Sequence, residues 1–478
     1  MTWETVIGLE VHAQLNTLTK LFSNGCTTYG SAPNTQATLI DAGFPGTLPV
    51  LNKQAVHLAI QFGLAINATI QQNSYFERKN YVYPDLPKGY QITQFRRPIV
   101  INGYLDILDE QTQAKRIIIE HAHLEEDAGK SIHSRAQQTA IDLNRAGIPL
   151  IEIVTSPCLA NATEVVNYLK SLNQLLRFLD VCNGNMQEGS FRCDVNLSLK
   201  RIGATTLGTR VELKNLNSYR FIEKAIHFEQ HRQMDLLNAQ LPVIQETRLY
   251  NETTQCTESM REKEHENDYR YFPDPDLLPV FISDQLLNTL STHLPELPSA
   301  IISRLARDGL TQADDRDYLL SSPAILQYYD NVKLTCHAPA KVIVNWLKGP
   351  IAALLNERQQ TFETLLNHTA VRLGELLNLV ADETLSAQAG KALLRPLFDG
   401  IEPLSSLIQA SGYQASSKED IQEHINAMLK QYPQQVAQYQ QGDPKIISFL
   451  MGQILKALKG KVDPKKLQML LTQRLDAT

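Results

Sequence analysis

The stretch Val6-Ile7-Gly8-Leu9-Glu10-Val11-His12-Ala13-Gln14-Leu15 alternates strictly between two sets of residues, one of them apolar throughout. A period of two is typical of a β-strand that buries one face and leaves the other open. The apolar set would pack on a core, and the open face would carry Glu10 and His12 two residues apart. For this strand alone, a solvated face and a functional face are about equally good interpretations.

The same pattern recurs in residues 116–127, 190–199 and 209–214. Together with the first stretch they predict four strands of one sheet with charged side chains on a shared face. Clustered carboxylates repel one another unless a cation lies between them, so this composition is unusual for a face that is merely solvated. We call the predicted surface the ionic face; it comprises Glu10, His12, His121, His123, Glu125, Asp127, Arg192, Asp194, Arg210, Glu212 and Lys214.

Composition restricts the class of protein. The 478 residues suffice for two to four domains, and 45 basic against 51 acidic residues give a formal charge of −6, which argues against a protein wrapped wholesale in nucleic acid. The six cysteines form no C-x-x-C pair, so we expect neither a zinc ribbon nor a disulfide framework. Without a signal-peptide pattern or an apolar run of membrane-spanning length, we expect a cytoplasmic protein with no membrane partner.

The patterning changes twice along the chain. Strand patterns dominate up to about residue 290, helical patterns follow, and a Gly- and Ser-rich cluster at 411–417 precedes a last group of short helices. We therefore expect an α+β protein with a strand-rich antiparallel domain (1–290), an all-α helical domain (291–405) and a small α-helical tail (406–478). From Gly442 onward seven basic and three acidic residues give a local charge of 7 − 3 = +4, which indicates either a solvated helix face or a contact with phosphate backbone.

Residues 76–94 are rich in aromatic, basic, Pro and Gly residues. Proline and glycine at this density interrupt regular structure, so we expect mostly loop. One interpretation is a rigid surface loop. The other is a loop that brings Lys79, Tyr81 and Lys88 to an anionic ligand.

Three kinds of function fit the ionic face. Carboxylates and basic groups could hold Mg²⁺ and a triphosphate for phosphoryl transfer. Histidines 12, 121 and 123 could hold zinc for hydrolysis, which is less favoured because carboxylates outnumber them. The sheet could also merely bind RNA. The predicted catalytic residues are Glu10, His12, Glu125, Asp194 and Glu212, with metal ligands Glu10, His12, Glu125 and Glu212, and with Lys79, Tyr81, Lys88, Arg192, Arg210 and Lys214 binding ATP or substrate.

Eight segments, in order and from end to end, resemble the B subunits of the tRNA-dependent amidotransferases. They are long, so the resemblance is specific. They read VIGLEVHAQL (6–15), YPDLPKGYQITQ (83–94), HLEEDAGKS (123–131), DLNRAGIPLIEIVTSP (142–157), MQEGSFRCDVNLSL (186–199), ELKNLNSYR (212–220), DYRYFPDPDL (268–277) and GDPKIISFLMGQILKALKGKVDP (442–464).

The resemblance implies a cradle domain with a kinase and transamidase site, a helical domain, and a tail similar to the YqeY family. It implies ATP- and Mg²⁺-dependent amidation of misacylated Glu-tRNA(Gln), Asp-tRNA(Asn) or both. It further implies a heterotrimer in which an amidase-type glutaminase, the A subunit, supplies ammonia and a small C subunit completes the complex. The family's kinase site coincides with Glu10, His12, Glu125 and Glu212. A non-catalytic tRNA-binding role in the same complex is the alternative. Because Cys26 stands alone, we expect no zinc near the first loop.

Overall fold

The computed structural model describes residues 3–133, 138–262, 266–365, 367–411, 418–440, 445–457 and 464–476. The chain forms two compact units, one ending at Pro298 and the other beginning at Ser299. Of the helices described, none is both long enough and apolar enough to cross a bilayer.

The first unit is built on a twelve-stranded sheet with β1 near its middle. The path along the sheet is β14-β13-β12-β11-β1-β10-β7-β5-β4-β15, and β6, which pairs with β7, also carries β2. Its strands are β1 (Trp3–Gln14), β2 (Thr69–Ile70), β4 (Glu77–Asn80), β5 (Tyr90–Thr93), β6 (Val100–Leu108), β7 (Ala114–Glu126), β10 (Pro149–Thr155), β11 (Phe191–Arg201), β12 (Val211–Lys214), β13 (Glu246–Asn251), β14 (Cys256–Glu262) and β15 (Phe272–Pro273). Two further pairs join β3 (Asn73–Ser74) to β16 (Val280–Phe281) and β8 (Lys130–His133) to β9 (Thr139–Asp142).

Strand pairing in the large sheet is antiparallel with one exception, the parallel pair of β12 and β13. The four predicted strands correspond to β1, β7, β11 and β12. The apolar set of β1 is essentially inaccessible to solvent, as strict alternation predicts, and it joins the core formed with β7, β10 and β11.

Three helices cover this core, and each begins at a side chain that satisfies free backbone N–H groups. They are α1 (Lys53–Ala65), α2 (Ala162–Phe178) and α3 (Tyr219–Asn238), and α4 (Asp284–Thr292) follows near the end of the unit. Asn52 accepts from the N–H groups of Gln54 and Ala55, and Asn161 accepts from that of Glu164. Such caps stabilise a helix start because the first four N–H groups have no partner inside the helix.

The described part of the second unit contains helices and no strand. The α+β class and its order, strands first and helices after, are confirmed. The division into three domains stays a prediction, and residues 412–417 and 441–444 lie outside the described residues. The helices are α5 (Pro298–Arg307), α6 (Ala313–Leu319), α7 (Pro323–Lys333), α8 (Ala340–Trp346), α9 (Ala352–Glu357), α10 (Asn367–Ala381), α11 (Ala387–Asp399), α12 (Leu404–Ser411), α13 (Lys418–Gln431), α14 (Pro433–Gln440), α15 (Lys445–Ala457) and α16 (Pro464–Asp476), with a π-helical turn at Leu347–Ile351 and short 3₁₀ turns at Phe362–Thr364 and, in the first unit, Glu266–Tyr269.

The expected loop at 76–94 is more regular than the sequence indicated. Strands β4 and β5 pair at its two ends, so Lys79 lies on a strand opposite Gln91. The prolines and the glycine fall in residues 81–89 between the two strands. Each strand is only four residues long, which explains why the alternation was not recognisable.

A buried ion pair anchors the long segment between β1 and α1. The Nζ atom of Lys20 lies 2.8 Å from a carboxylate oxygen of Asp41, and both side chains are almost fully buried. Asp41 also accepts from the Ser23 hydroxyl and from the backbone N–H of Thr38. Removing one member of such a pair leaves a buried charge without compensation.

We expect Asp41→Asn to lower the free energy of unfolding by about 3 kcal/mol, because the Lys20 ammonium would remain buried without its counter-charge. Urea denaturation followed by circular dichroism measures the change. Asp235→Asn, at an exposed position of α3, is the matched control. A loss below about 1 kcal/mol, no larger than that of a typical surface substitution, would contradict a structural role for the pair.

Candidate active site

The register of the central strands places the charged side chains on one face. Across β1 and β11, Glu10 pairs with Asp194 and His12 pairs with Arg192. On the other side of β1, His12 pairs with Glu152 of β10, which pairs in turn with His123 of β7. Directly opposed residues of neighbouring strands project to the same side. The backbone ladder therefore gathers these side chains, and the predicted ionic face exists.

The centre of this face is a group that we call the carboxylate–histidine cluster: Glu10, His12, His123, Glu125 and Glu152. The Nε2 atom of His12 lies 3.3 Å from oxygens of both Glu125 and Glu152 and 3.8 Å from Glu10. The Nε2 atom of His123 lies 3.5 Å from Glu152 and 3.9 Å from Glu125. Three carboxylates thus converge on two imidazoles.

The pKa values show that the cluster carries more negative charge than its own residues balance. Repulsion by Glu152, with burial second, raises the pKa of Glu10 to about 7. Burial opposes protonation of His12, but its hydrogen bonds with Glu125 and Glu152 raise its pKa well above the ordinary value. Burial likewise opposes ionisation of Glu152, but the field of His123 helps to lower its pKa to about 2. Glu10 is therefore the carboxylate without sufficient compensation.

Lys79 is the predicted basic residue nearest to this cluster in electrostatic terms. Its burial disfavours the charge, but the fields of Tyr271, Glu125 and Glu152 keep its pKa above the ordinary value. The Nζ atom lies 4.8 Å from the ring centroid of Tyr269 and 5.9 Å from that of Tyr81, in the range of cation–π contacts. No carboxylate of the described residues lies within ion-pair distance of it.

Two other predicted cations are already paired. Lys88 contacts a carboxylate oxygen of Glu126, and Arg192 lies 3.2 Å from Asp127. Asp127 also lies 3.7 Å from Arg145. For an anionic ligand to bind Lys88 or Arg192, these pairs would have to share their cations with it.

The remaining predicted residues lie along the neighbouring strands. Lys214 pairs with Asp194, while Glu212 is buried and accepts from the hydroxyl of Thr247 at 2.7 Å. Arg210 is exposed, immediately before β12. Glu212 and Arg210 thus lie outside the carboxylate–histidine cluster, and their assignments as metal and substrate ligands stay predictions.

One residue of the cluster was missed by sequence reasoning. Glu152 lies within the strand PLIEIVT, which was predicted only as a buried strand. The signal was present, because a single carboxylate in an otherwise apolar run must find a partner when it is buried. What the sequence could not give was the pairing that sets Glu152 between His12 and His123.

The geometry disfavours the zinc hypothesis without needing composition. Among the described residues, two groups of three have donor atoms close enough to hold one ion: Glu10, His12 and Glu152, and His123, Glu125 and Glu152. Each has two carboxylates and one imidazole, so oxygen donors dominate. His121 belongs to neither; it stacks on His123, and burial with the field of His123 lowers its pKa to about 4.

These donors fit a divalent cation that prefers oxygen. The raised pKa of Glu10 is the independent sign, because it reports a carboxylate repelled by its neighbours that a positive ion would stabilise. A rigid sheet that presents such a cluster beside a buried lysine is typical of a catalytic domain, and specifically of enzymes that combine carboxylates, cations and basic groups.

Comparison with known proteins agrees with this class. Residues 5–288 match the family model of the GatB/GatE catalytic domain, and residues 327–475 match that of the GatB domain. The chain is 53% identical over 477 residues to the aspartyl/glutamyl-tRNA(Asn/Gln) amidotransferase B subunit of Legionella pneumophila strain Lens, covering 99% of this chain and 100% of the relative. The corresponding B subunit of Coxiella burnetii strain CbuG_Q212 is 47% identical over 478 residues with the same coverage.

The chain therefore belongs to the family of aspartyl/glutamyl-tRNA(Asn/Gln) amidotransferase B subunits. The resemblance found in its motifs is confirmed. Membership places it among the components of a multi-subunit amidotransferase.

Glu10 leads to a prediction on pH. Its pKa is raised from 4.5 to about 7, so the folded protein holds this proton more tightly than the unfolded chain does. Its ionisation therefore costs stability as the pH rises through this window. In EDTA, we expect Glu10→Gln to raise the free energy of unfolding by on the order of 2 kcal/mol more at pH 8 than at pH 5.

Thermal unfolding at the two pH values measures this difference. Glu120→Gln, on an exposed position of β7, is the control and should show no comparable pH dependence. Millimolar Mg²⁺ should reduce the advantage of Glu10→Gln at pH 8, since a bound cation stabilises the carboxylate. An advantage that is equal at pH 5 and pH 8 would contradict the raised pKa.

Proposed function

We propose that this chain catalyses the ATP-dependent transamidation of misacylated Glu-tRNA(Gln), Asp-tRNA(Asn) or both, which is the activity implied by the names of its relatives. The observation that carries the proposal is the carboxylate–histidine cluster, set beside the buried ammonium of Lys79 on the central strands. Phosphoryl transfer depends mainly on positioning and on neutralising charge, and these are the features that the sheet supplies.

The residues fit Mg²⁺, with Glu10, His12, Glu125 and Glu152 as those that would hold it. Glu212 of the predicted ligand set is a candidate for a neighbouring role, because its carboxylate contacts Thr247. When bound, the ion would neutralise phosphate charge. Lys79 supplies a further fixed positive charge that a buried carboxylate or phosphate oxygen can approach.

The reaction proceeds in two steps that balance. First, a side-chain carboxylate oxygen of the glutamyl or aspartyl group attacks the γ-phosphorus of ATP, and ADP leaves. Then the nitrogen of ammonia attacks the acyl carbon of the resulting acyl phosphate, inorganic phosphate leaves, and the nitrogen loses a proton. Glu125, held ionised by its hydrogen bonds to His12 and His123 although burial opposes the charge, has a depressed pKa and is suited to stabilise positive charge on the attacking nitrogen.

Ammonia has to come from a partner. We propose a heterotrimer with two such partners, an amidase-type glutaminase (the A subunit) and a small C subunit, in line with the subunit names of the relatives. We further propose that the helical second unit contacts tRNA, since its last 37 residues carry the excess of basic residues described above.

The second candidate function is a tRNA-binding role without any chemistry. The paired state of Lys88, Arg192 and Lys214 favours it, because a salt-bridged sheet needs no ligand to be stable. The two candidates differ in what happens when one carboxylate of the cluster loses its charge.

The test uses the complex of this chain with its A and C subunits, supplied with Glu-tRNA(Gln), ATP and Mg²⁺. An ammonium salt replaces glutamine, so the glutaminase is bypassed. We expect Glu125→Gln to lower the rate of Gln-tRNA formation at least about 100-fold, because a preorganised charge in the site is lost, while tRNA affinity stays unchanged.

Glu120→Gln on the same strand is the matched control and should keep full activity. Full activity of Glu125→Gln would refute the catalytic assignment and favour the tRNA-binding alternative. Inactivation by a chelator that Zn²⁺ but not Mg²⁺ reverses would instead favour the zinc hypothesis.

A further inference from the structure

An aromatic pair lies next to the carboxylate–histidine cluster, and the activity discussed so far gives it no role. The rings of Phe95 and Tyr271 stack with centroids 4.1 Å apart and planes inclined by 7°. Phe95 is 39% exposed, although apolar aromatic side chains are normally buried. A parallel pair with its outer ring in solvent has the geometry in which a third flat ring can stack.

The pair is connected to the proposed active site through Lys79. Tyr271 neighbours Tyr269, and Tyr269 lies within cation–π distance of Lys79. On the other side, Thr93 is directly opposite Glu125 in the register of β5 and β7. Phe95 follows two residues later, at most about 7 Å along the chain. A ligand could therefore lie on the pair and reach the cluster.

The backbone around Phe95 is fixed on both sides. The buried side chain of Gln94 accepts from the N–H of Leu124 at 3.0 Å. The backbone N–H of Arg96 donates to the carboxylate of Glu77 at 2.7 Å. Phe95 is thus presented to solvent by buried neighbours instead of being left on a loose loop.

Tyr271 is held with similar care. Arg270 has a φ of 47°, in the left-handed region that non-glycine residues rarely adopt. The side chain of Asn80 donates to the carbonyls of Tyr269 and Arg270 at 3.1 and 3.0 Å. Strain of this kind persists only where surrounding contacts enforce it, and it often accompanies a binding site.

Two arginines continue directly from Phe95. Arg96 lies 3.2 Å from Glu77, but its side chain is 55% exposed, and Arg97 is exposed as well. An aromatic stacking surface flanked by exposed basic groups is typical of sites that bind single-stranded nucleic acid or a nucleotide. Single-stranded ends offer unstacked bases to such surfaces.

From these contacts we infer that Phe95 and Tyr271 form a stacking platform for a purine base whose nucleotide reaches the carboxylate–histidine cluster. The inference rests on the proposed function, which provides two sources of adenine: the single-stranded acceptor end of the tRNA and ATP. The adjacent arginines would then contact phosphate groups of the same ligand.

The test measures stacking directly in the complex of this chain with its A and C subunits. One arm uses tRNA that carries fluorescent 2-aminopurine as its 3′-terminal base, and the other uses 2-aminopurine riboside triphosphate. Stacking quenches the fluorescence of this base. Phe95→Leu removes the π surface and retains apolar bulk, Phe95→Tyr retains the ring, and Phe281→Leu alters an exposed aromatic elsewhere in the same unit.

We expect Phe95→Leu to reduce quenching and weaken binding about 5- to 100-fold in one arm, while Phe95→Tyr and Phe281→Leu resemble the unaltered complex. The arm that changes identifies the source of the base. Unchanged quenching and affinity in both arms would overturn the inference. So would dissociation of the complex by Phe95→Leu with quenching intact, since that would make Phe95 a contact with a partner protein.

This outcome is separable from that of the proposed function. Glu125→Gln should abolish amidation but leave quenching intact, because it does not touch the aromatic pair. A complex that fails to amidate yet shows Phe95-dependent quenching would refute the chemistry and keep the platform.

Discussion

The pairing of β1 with β10 and β11 is the constraint on which the site depends. A strand fixes which side chains share a face, but only its neighbours determine which of them meet. A shift of one residue in either register would turn Glu152 or Arg192 to the opposite face of the sheet. The fully buried apolar side of β1 prevents that shift, because it would expose Ile7, Leu9 and Val11 to water. Core packing therefore stabilises the arrangement of charged groups.

The consequence of that register is an electrostatic imbalance that the fold tolerates. Three carboxylates share two imidazoles, and Glu10 has the pKa that reveals the deficit. Elsewhere on the sheet, ion pairs such as Lys214 with Asp194 are complete within the chain. A protein selected for stability alone would balance its central charges as it balances its peripheral ones. The contrast indicates that the centre of the sheet is adapted to a ligand that brings positive charge.

The sequence predicted the sheet and half of the site. Strict alternation in β1, β7 and β11 identified Glu10, His12 and Glu125 without any knowledge of the fold, because period two determines a face. It could not identify Glu152, since β10 has no polar face of its own and its one carboxylate becomes meaningful only through pairing. It also placed Lys79 in a loop, because strands of four residues carry too little pattern. Which cations are already paired, as Lys88 is with Glu126, depends on side-chain contacts that no spacing rule contains.

The same distinction explains why the aromatic pair was recognisable only in three dimensions. Phe95 and Tyr271 are separated by more than 170 residues in the sequence, and each belongs to a segment that reads as an ordinary loop. Their stacking follows from the pairing of β4 with both β5 and β15, which brings the residues after β5 beside those before β15. Once β4 supplies this link, Lys79 on the same strand necessarily lies between the aromatic residues and the carboxylates. One short strand thus connects a surface suited to a base with a cluster suited to phosphate chemistry, and the spacing between them is a property of the sheet.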